Sequence, residues 1–311
     1  MRVAPPSALS FLTVSNMRAL PPRPPTAPTL PRSRASAAPG AAGRAGAARA
    51  SAAPAPLRLP IGPGDAADQA AAALLRARAS GATRASVVVP LSPSTTAFGS
   101  TDLDDWPGGV AQMAEAAIPV VQRMLSTLKR EPGLEGPLDA SVLDVGDAVG
   151  QWVGPTMACV LFPTADTLKA VEALAEPRDA RGGFTFLVNP QWGALDGSIS
   201  NIVSDFGVGP WRKAGEKRAA SFAGCYACES LRSGGDDVRL LFQAGAGWSV
   251  WRATGDGARA VVVLAEGLPA RPTYAELTSL LKAAPGSASG APLADRIRRE
   301  FEFARESMKE K

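Results

Sequence analysis

Cys225-Tyr226-Ala227-Cys228 is the first place where residue types and spacing could do chemistry. A C-x-x-C dithiol becomes redox-active at a helix N-terminus, where the dipole lowers a thiol pKa. Here the motif opens a run with strand character, and side chains three apart on a strand point to opposite faces. The spacing therefore favours two unconnected cysteines. A tetrahedral zinc site needs two more ligands, but Cys159 is the only other thiol and the chain contains no histidine. Asp205-Phe206-Gly207 matches a kinase tripeptide, without the glycine-rich loop, strand lysine or His-Arg-Asp loop that a kinase requires. The two common nucleotide-binding glycine loops are missing as well. Asp139, Asp144 and Asp147 cluster around a strand end and have the oxygen chemistry for magnesium, although aspartates so placed more often form turns. Without histidine, Ser-His-Asp and Cys-His nucleophile systems and histidine-ligated zinc or iron are excluded. General acid–base work falls to Asp, Glu, Lys, Tyr or Cys.

Two segments remain as binding candidates. Asn189-Pro190-Gln191-Trp192 leaves the end of an expected central strand, where open α/β sheets bind their ligands. Ser204 to Arg212 combines aromatics, glycines and a base in a loop, and loops on rigid elements often carry function. The candidate binding residues are Asn189, Gln191, Trp192, Asp205, Phe206, Trp211 and Arg212, since Trp and Arg commonly anchor interfaces. Packing of Trp192, Phe206 and Trp211 over the sheet edge as core fits the same residues equally well. No catalytic residue, metal ligand or cofactor is assigned.

The elements that position these residues follow from the hydrophobic pattern. A helix is expected over 65–79, with Asp65 at its N-cap and Gly81 stopping it. Ser86-Val87-Val88-Val89 reads as a buried strand closed by Pro90. A loop leads to a long helix whose Val110, Met113, Ala117, Val121, Met124 and Leu128 form one apolar stripe, with an interruption expected at Pro119. Strands follow at 141–145 and 157–162, a helix at 165–175 and a strand at 184–188. After a helix near 215–222, strands at 225–231, 238–243, 248–253 and 259–265 are joined by short glycine-containing turns, as in an antiparallel meander. Thr273-Tyr274-Ala275-Glu276 is a capping box that opens a helix to about Lys282. The fold class is α/β: a single domain on a mixed β-sheet, alternating strands and helices in its first half, a meander in its second, covered by helices. Residues 61–283 form this domain, 284–292 a flexible linker, and 293–311 an amphipathic helix with Ile297, Phe301, Ala304 and Met308 on one face.

Composition divides the chain again. Residues 1–60 hold eight arginines, no lysine and no acid, and 12 of the 28 prolines. Such a segment buries too little apolar surface to offset its ordering entropy, and its composition is that of an organelle transit peptide. The 311-residue chain has a net charge of +4, with 33 basic and 29 acidic residues. Setting the eight leader arginines aside leaves 25 basic residues and a body at −4. The overall basic balance thus gives no reason to expect nucleic acid. No run reaches the length of about 18 apolar residues that a membrane span needs. At −4 the body is poorly suited to broad docking on an anionic surface, leaving a local basic patch at Arg212, Lys213, Lys217 and Arg218 as the contributor to any peripheral membrane contact.

One ordered series of short motifs carries a resemblance. It runs from Asp105-Trp106-Pro107-Gly108-Gly109-Val110-Ala111-Gln112 through Gly146-Asp147 and Trp152 to Asn189-Pro190-Gln191-Trp192. It continues with Ser204-Asp205-Phe206-Gly207, Pro210-Trp211, Phe222, Tyr226, Val238-Arg239-Leu240-Leu241 and Trp248-Ser249-Val250. Over most of residues 65–282 the chain resembles the plastid domain-of-unknown-function family nineteen-ninety-five. The family has no established catalytic residues to carry over. The resemblance implies a stromal chloroplast factor, partly attached to thylakoids, that helps assemble photosystem II by binding a core subunit or other assembly factors. The alternative, resting on the α/β pattern, is a nucleotide- or small-molecule-binding plastid enzyme with Asn189, Gln191, Asp205 and Arg212 at the C-terminal edge of the sheet and Asp144 and Asp147 for a metal.

Overall fold

The computed structural model describes residues 57–92, 106–192, 210–253 and 261–292, together with 294, 295, 298 and 301; for Pro210 and Trp211 it describes the backbone. Nine strands form one sheet in the order β2-β3-β4-β5-β1-β6-β7-β8-β9. At its centre lie four parallel strands: β4 (Met157–Leu161), β5 (Phe184–Val188), β1 (Arg84–Val88) and β6 (Ala223–Ser233). Every residue of β4 and β5 is buried, as a parallel sheet covered on both faces requires. Antiparallel strands extend the sheet on either side. β2 (Asp139–Asp144) and β3 (Val149–Val153) lead into β4, while β7 (Asp236–Gln243), β8 (Gly247–Ala253) and β9 (Val261–Leu268) follow β6 as the expected meander.

β3 was not expected. Gly150 and the following Gly154 break the β-branched run that marks a strand, yet its ladders to β2 and β4 are regular. The first half is therefore a βαβ unit with an antiparallel hairpin inserted before it, rather than a plain alternation.

Two helices cover one face. α1 (Pro63–Ala79) begins with proline in its first turn, where the missing N–H costs nothing, and Asp65 lies inside that turn rather than at the cap. α2 (Gly109–Leu128) runs unbroken through Pro119, whose exposed position lets the ring face solvent. Leu74, Val121 and Met124 of these helices pack on Val87, Cys159, Phe186 and Tyr226. The alternate residues of the same strands face the other way. There α3 (Leu168–Asp179) sets Val171 and Ala175 against Val160 and Leu187. α4 (Pro210–Ala220) precedes β6, and α5 (Tyr274–Ala283) seals Val238, Leu240 and Val250 with Leu277 and Leu281. The Thr273–Glu276 capping box opens α5 as its sequence indicates.

The chain just before α1 is part of the body. Pro60 is buried, Leu57 and Leu59 pack on the α1/α2 core, and Arg58 makes a two-pronged hydrogen bond to Asp65 at 2.6 and 2.7 Å. Arg58 therefore belongs with the fold, which moves the balance of the body from −4 to −3.

Residues 284–292, whose composition is that of a linker, are anchored. Ser287, Ala288 and Ser289 are buried, and Ala288–Gly290 forms a short 3-10 turn. The Asp236 carboxylate accepts hydrogen bonds from Ser287 Oγ at 2.6 Å and from the Ala288 and Ser289 amides at 3.0 Å, with the Arg252 guanidinium 3.6 Å away. Burial alone would raise the Asp236 carboxyl; the three hydrogen bonds and the Arg252 charge outweigh it and hold it below the usual carboxylate range. Asp236→Ala leaves Arg252 buried without its acid and should cost about 3 kcal/mol in urea unfolding at pH 7. Because the folded pKa is the lower one, this stabilisation is full above the unfolded value of about 3.9 and declines as pH falls through the folded value. The gap between wild type and Asp236→Asn should therefore narrow from pH 7 to pH 3.

Candidate functional site

Strands β4, β5 and β1 are parallel, so their C-terminal ends lie together at one edge of the sheet. From that edge β1 leads towards α2 on one face and β5 towards α4, which packs with α3 on the other. Divergent exits of this kind mark the point where open α/β sheets form a crevice. Here a side chain bridges the crevice. Asn189 is 6% exposed and stands just past β5, with its Oδ1 accepting from Val89 N at 2.7 Å and its Nδ2 donating to Val89 O at 2.9 Å. Its own amide donates to Val87 O at 2.9 Å. The amide thus acts as one further ladder residue between β5 and β1.

The geometry needs an unusual backbone. Asn189 has φ +48°, and Phe162, at the equivalent place after β4, has φ +53°. The left-handed region costs ordinary residues about 1–2 kcal/mol, and Asn tolerates it better than most. Phe162 is fully buried and its amide donates to Val188 O at 2.9 Å, so packing and a hydrogen bond hold it there. Adjacent strands ending in two non-glycine left-handed residues form a local concentration of strain, which is characteristic of functional edges.

Gln191 is exposed; its amide donates to Pro163 O at 2.8 Å and its Nε2 to Asn189 O at 3.2 Å. Trp192 is half-buried and packs on the α3 cluster of Val160, Val171 and Leu187, so its ring serves as core at least in part. Thr164 and Thr167 close the rim at the start of α3, with Thr164 N donating to Thr167 Oγ1 at 2.9 Å and Thr167 Oγ1 donating back to Thr164 O at 3.0 Å.

Asp205 and Phe206 lie outside the described residues, as does the side chain of Trp211. Arg212 is engaged within α4, where its Nε meets Glu216 at 2.6 Å. Arg218 pairs with Glu172 of α3, so half of the basic patch on α4 is balanced by acids, leaving Lys213 and Lys217 exposed. Asp139 and Asp144 occupy opposite ends of six-residue β2, about 17 Å apart at ordinary strand rise. Asp144 Oδ1 accepts from the Gly146 amide at 2.8 Å and the Asp147 amide at 3.3 Å, which makes it a turn-former. Among the described residues no group of three acids or thiols could hold a metal.

The cysteines show where strand alternation misleads. Ser86 pairs with Gly224 and Val87 with Tyr226, so Cys225 is the extra residue of a β-bulge. The bulge resets the alternation, and Cys225 and Cys228 both join the α1/α2 core instead of facing apart. They are free thiols, 2% and 0% exposed, and burial pushes each up to about 12. Thiols held in this form are poor nucleophiles.

Fold and site define a three-layer α/β protein with a side-chain amide closing the C-terminal edge of its central strands. The family model described as Domain of unknown function (DUF1995) matches residues 60–279, and the chain belongs to that family. No curated protein and no solved structure matches it.

Sequence reasoning singled out Asn189 and missed its partner Val89 and the paired backbone at Phe162. An Asn ending a buried strand before a proline is the one available signal, because Asn is enriched in the left-handed region. Asn189→Gly keeps the backbone accessible but leaves the Val89 amide and carbonyl unpaired, for an expected loss of about 2–4 kcal/mol. Asn189→Ala adds the left-handed penalty, roughly 1 kcal/mol more. Urea unfolding of both variants checks the order; equal losses would contradict the strain assignment.

Proposed function

We propose that the protein is a chloroplast assembly or chaperone-like factor that binds a newly made photosystem II core subunit or other assembly factors, acting by recognition rather than catalysis. The observation that carries this reading is the chemistry of the edge. Exposed Gln191 and half-buried Trp192 stand on a rim that the buried Asn189 and Thr167 hold rigid, an amide and an indole suited to recognising a polypeptide. Membership of the DUF1995 family and the arginine-rich, acid-free first 60 residues support the setting. Attachment to thylakoids would be peripheral in this reading, since no helix among the described residues is long and apolar enough to cross a membrane.

The competing reading, a nucleotide- or small-molecule enzyme at the same edge, draws support from the strained backbone at Phe162 and Asn189. Against it stands the Asn189 amide, whose two ends are both committed to Val89 and so offer nothing to a ligand. A photo-crosslinking amino acid at exposed position 191 in isolated chloroplasts tests the proposal. The expected result is a crosslink to a photosystem II subunit or assembly factor, reduced several-fold by Trp192→Ala. Unchanged photosystem II assembly in a gene deletion, together with no protein crosslink, would overturn it.

A further inference from the structure

The chain entering α1 draws a boundary that composition does not. Residues 1–60 share one arginine-rich, acid-free composition, yet residues 57–60 belong to the body. Pro60 is buried, and Leu57 and Leu59 pack on the α1/α2 core. Between the two leucines, Arg58 reaches onto α1. Its Nη1 and Nη2 donate to the two carboxylate oxygens of Asp65 at 2.6 and 2.7 Å, the parallel geometry of a strong guanidinium–carboxylate pair.

Asp65 gathers further donors. The Ile61 amide donates to its Oδ2 at 3.0 Å, and Gln69 Nε2 does so at 3.4 Å. The Arg58 hydrogen bonds are the main reason its carboxyl lies below the usual carboxylate range. The Arg58 side chain is 62% exposed, so the pair and the packing of its two neighbours restrain it rather than burial. Residues 57–60 thus form a strap, fastened to α1 by one ion pair and to the core by Leu57, Leu59 and Pro60.

A protease cuts a peptide bond only when the segment around it can leave the fold. The strap therefore excludes its own bonds as processing points. Upstream, Ala50-Ser51-Ala52-Ala53-Pro54-Ala55-Pro56 consists of small residues and prolines, and exposed stretches of small residues are where chains are most readily nicked. The compact unit that holds the sheet begins at Ala52, within this stretch.

We propose that a processing endoprotease removes the leader by cutting between Arg49 and Leu57, so that the mature chain keeps the strap. Water splits one peptide bond, leaving a carboxylate on the released leader and an ammonium on the new N-terminus. Seven of the eight leader arginines depart and Arg58 stays, and the loss of those seven charges takes the chain from +4 to −3. The inference rests on the plastid setting of the assembly reading and adds to it where the working protein begins.

Two experiments on the full chain test it. Trypsin reads the strap without import, because Arg49 and Arg58 precede Ala50 and Leu59, which the enzyme accepts. Mass spectrometry of the native protein should show rapid cleavage after Arg49 and cleavage after Arg58 at least about tenfold slower. Asp65→Asn should speed cleavage at position 58 several-fold while Arg84 in β1 stays uncut. Arg58→Lys, which keeps a trypsin site but loses the two-pronged bond, should do the same. Equal cutting at 49 and 58 in the wild type overturns the strap. Processing itself is read by importing the precursor into isolated chloroplasts and determining the N-terminus of the recovered protein. It should fall between Ala50 and Leu57. An N-terminus at Arg58 or later, or recovery of an uncut chain, overturns the proposal. A correctly cut protein that crosslinks to no photosystem II subunit or assembly factor fails the assembly reading alone.

Discussion

The bridge between Asn189 and Val89 is the interaction on which the C-terminal edge depends. Backbone ladders hold β5 and β1 together as far as Val87 and Val188, and there the two chains must part towards opposite faces. A parallel pair that ends abruptly leaves buried amides and carbonyls unpaired, at a cost of about 1–3 kcal/mol each. One side-chain amide satisfies the next donor and acceptor in turn, so the pairing continues for one residue beyond the backbone ladder. The left-handed φ of Asn189 is what aims its side chain across the gap. Gln191, tied to Pro163 beyond β4, then extends the same rigid rim from β1 to β4.

The rest of the molecule makes this edge stiff. Fully buried β4 and β5 sit between helix layers, with Phe184 and Phe186 stacked at 6.0 Å inside the α1/α2 core. Polar connections fasten the periphery. Arg178 of α3 donates to the carbonyl of Gly154, Arg84 of β1 meets Asp179 of α3 at 2.7 Å, and Asp236 binds the turn after α5. These contacts join helices to strands distant in sequence, so the sheet and its covering layers should behave as one cooperative unit.

Much of the fold was legible in the sequence because hydrophobic period survives tertiary packing. The stripe from Met113 to Leu128 becomes the buried side of α2, and the turns after Ser233 and Gln243 join the meander as read. What escaped depends on exceptions to period. β3 is interrupted by glycine, the bulge at Cys225 resets the alternation, and Pro119 is tolerated within α2 because it faces solvent. For the site, the sequence pointed to Asn189 through its position after a buried strand. It could not show that both ends of the amide are engaged by Val89, because that partner lies 100 residues away in the chain. Asp205 and Phe206 remain candidates by sequence alone.

The rim at Gln191 and Trp192 is closed underneath by Asn189, and the proposed assembly role rests on the rigidity this gives. Native-state hydrogen exchange at the Val89 amide tests it most directly. Val89 lies past the end of β1, so an ordinary loop amide there would exchange through local opening. With Asn189 bridging the gap, Val89 should exchange only on global unfolding, with the same free energy as the β5 amides. Exchange of Val89 at the rate of an exposed loop, while β5 remains protected, would contradict the bridge and the account of the edge built on it.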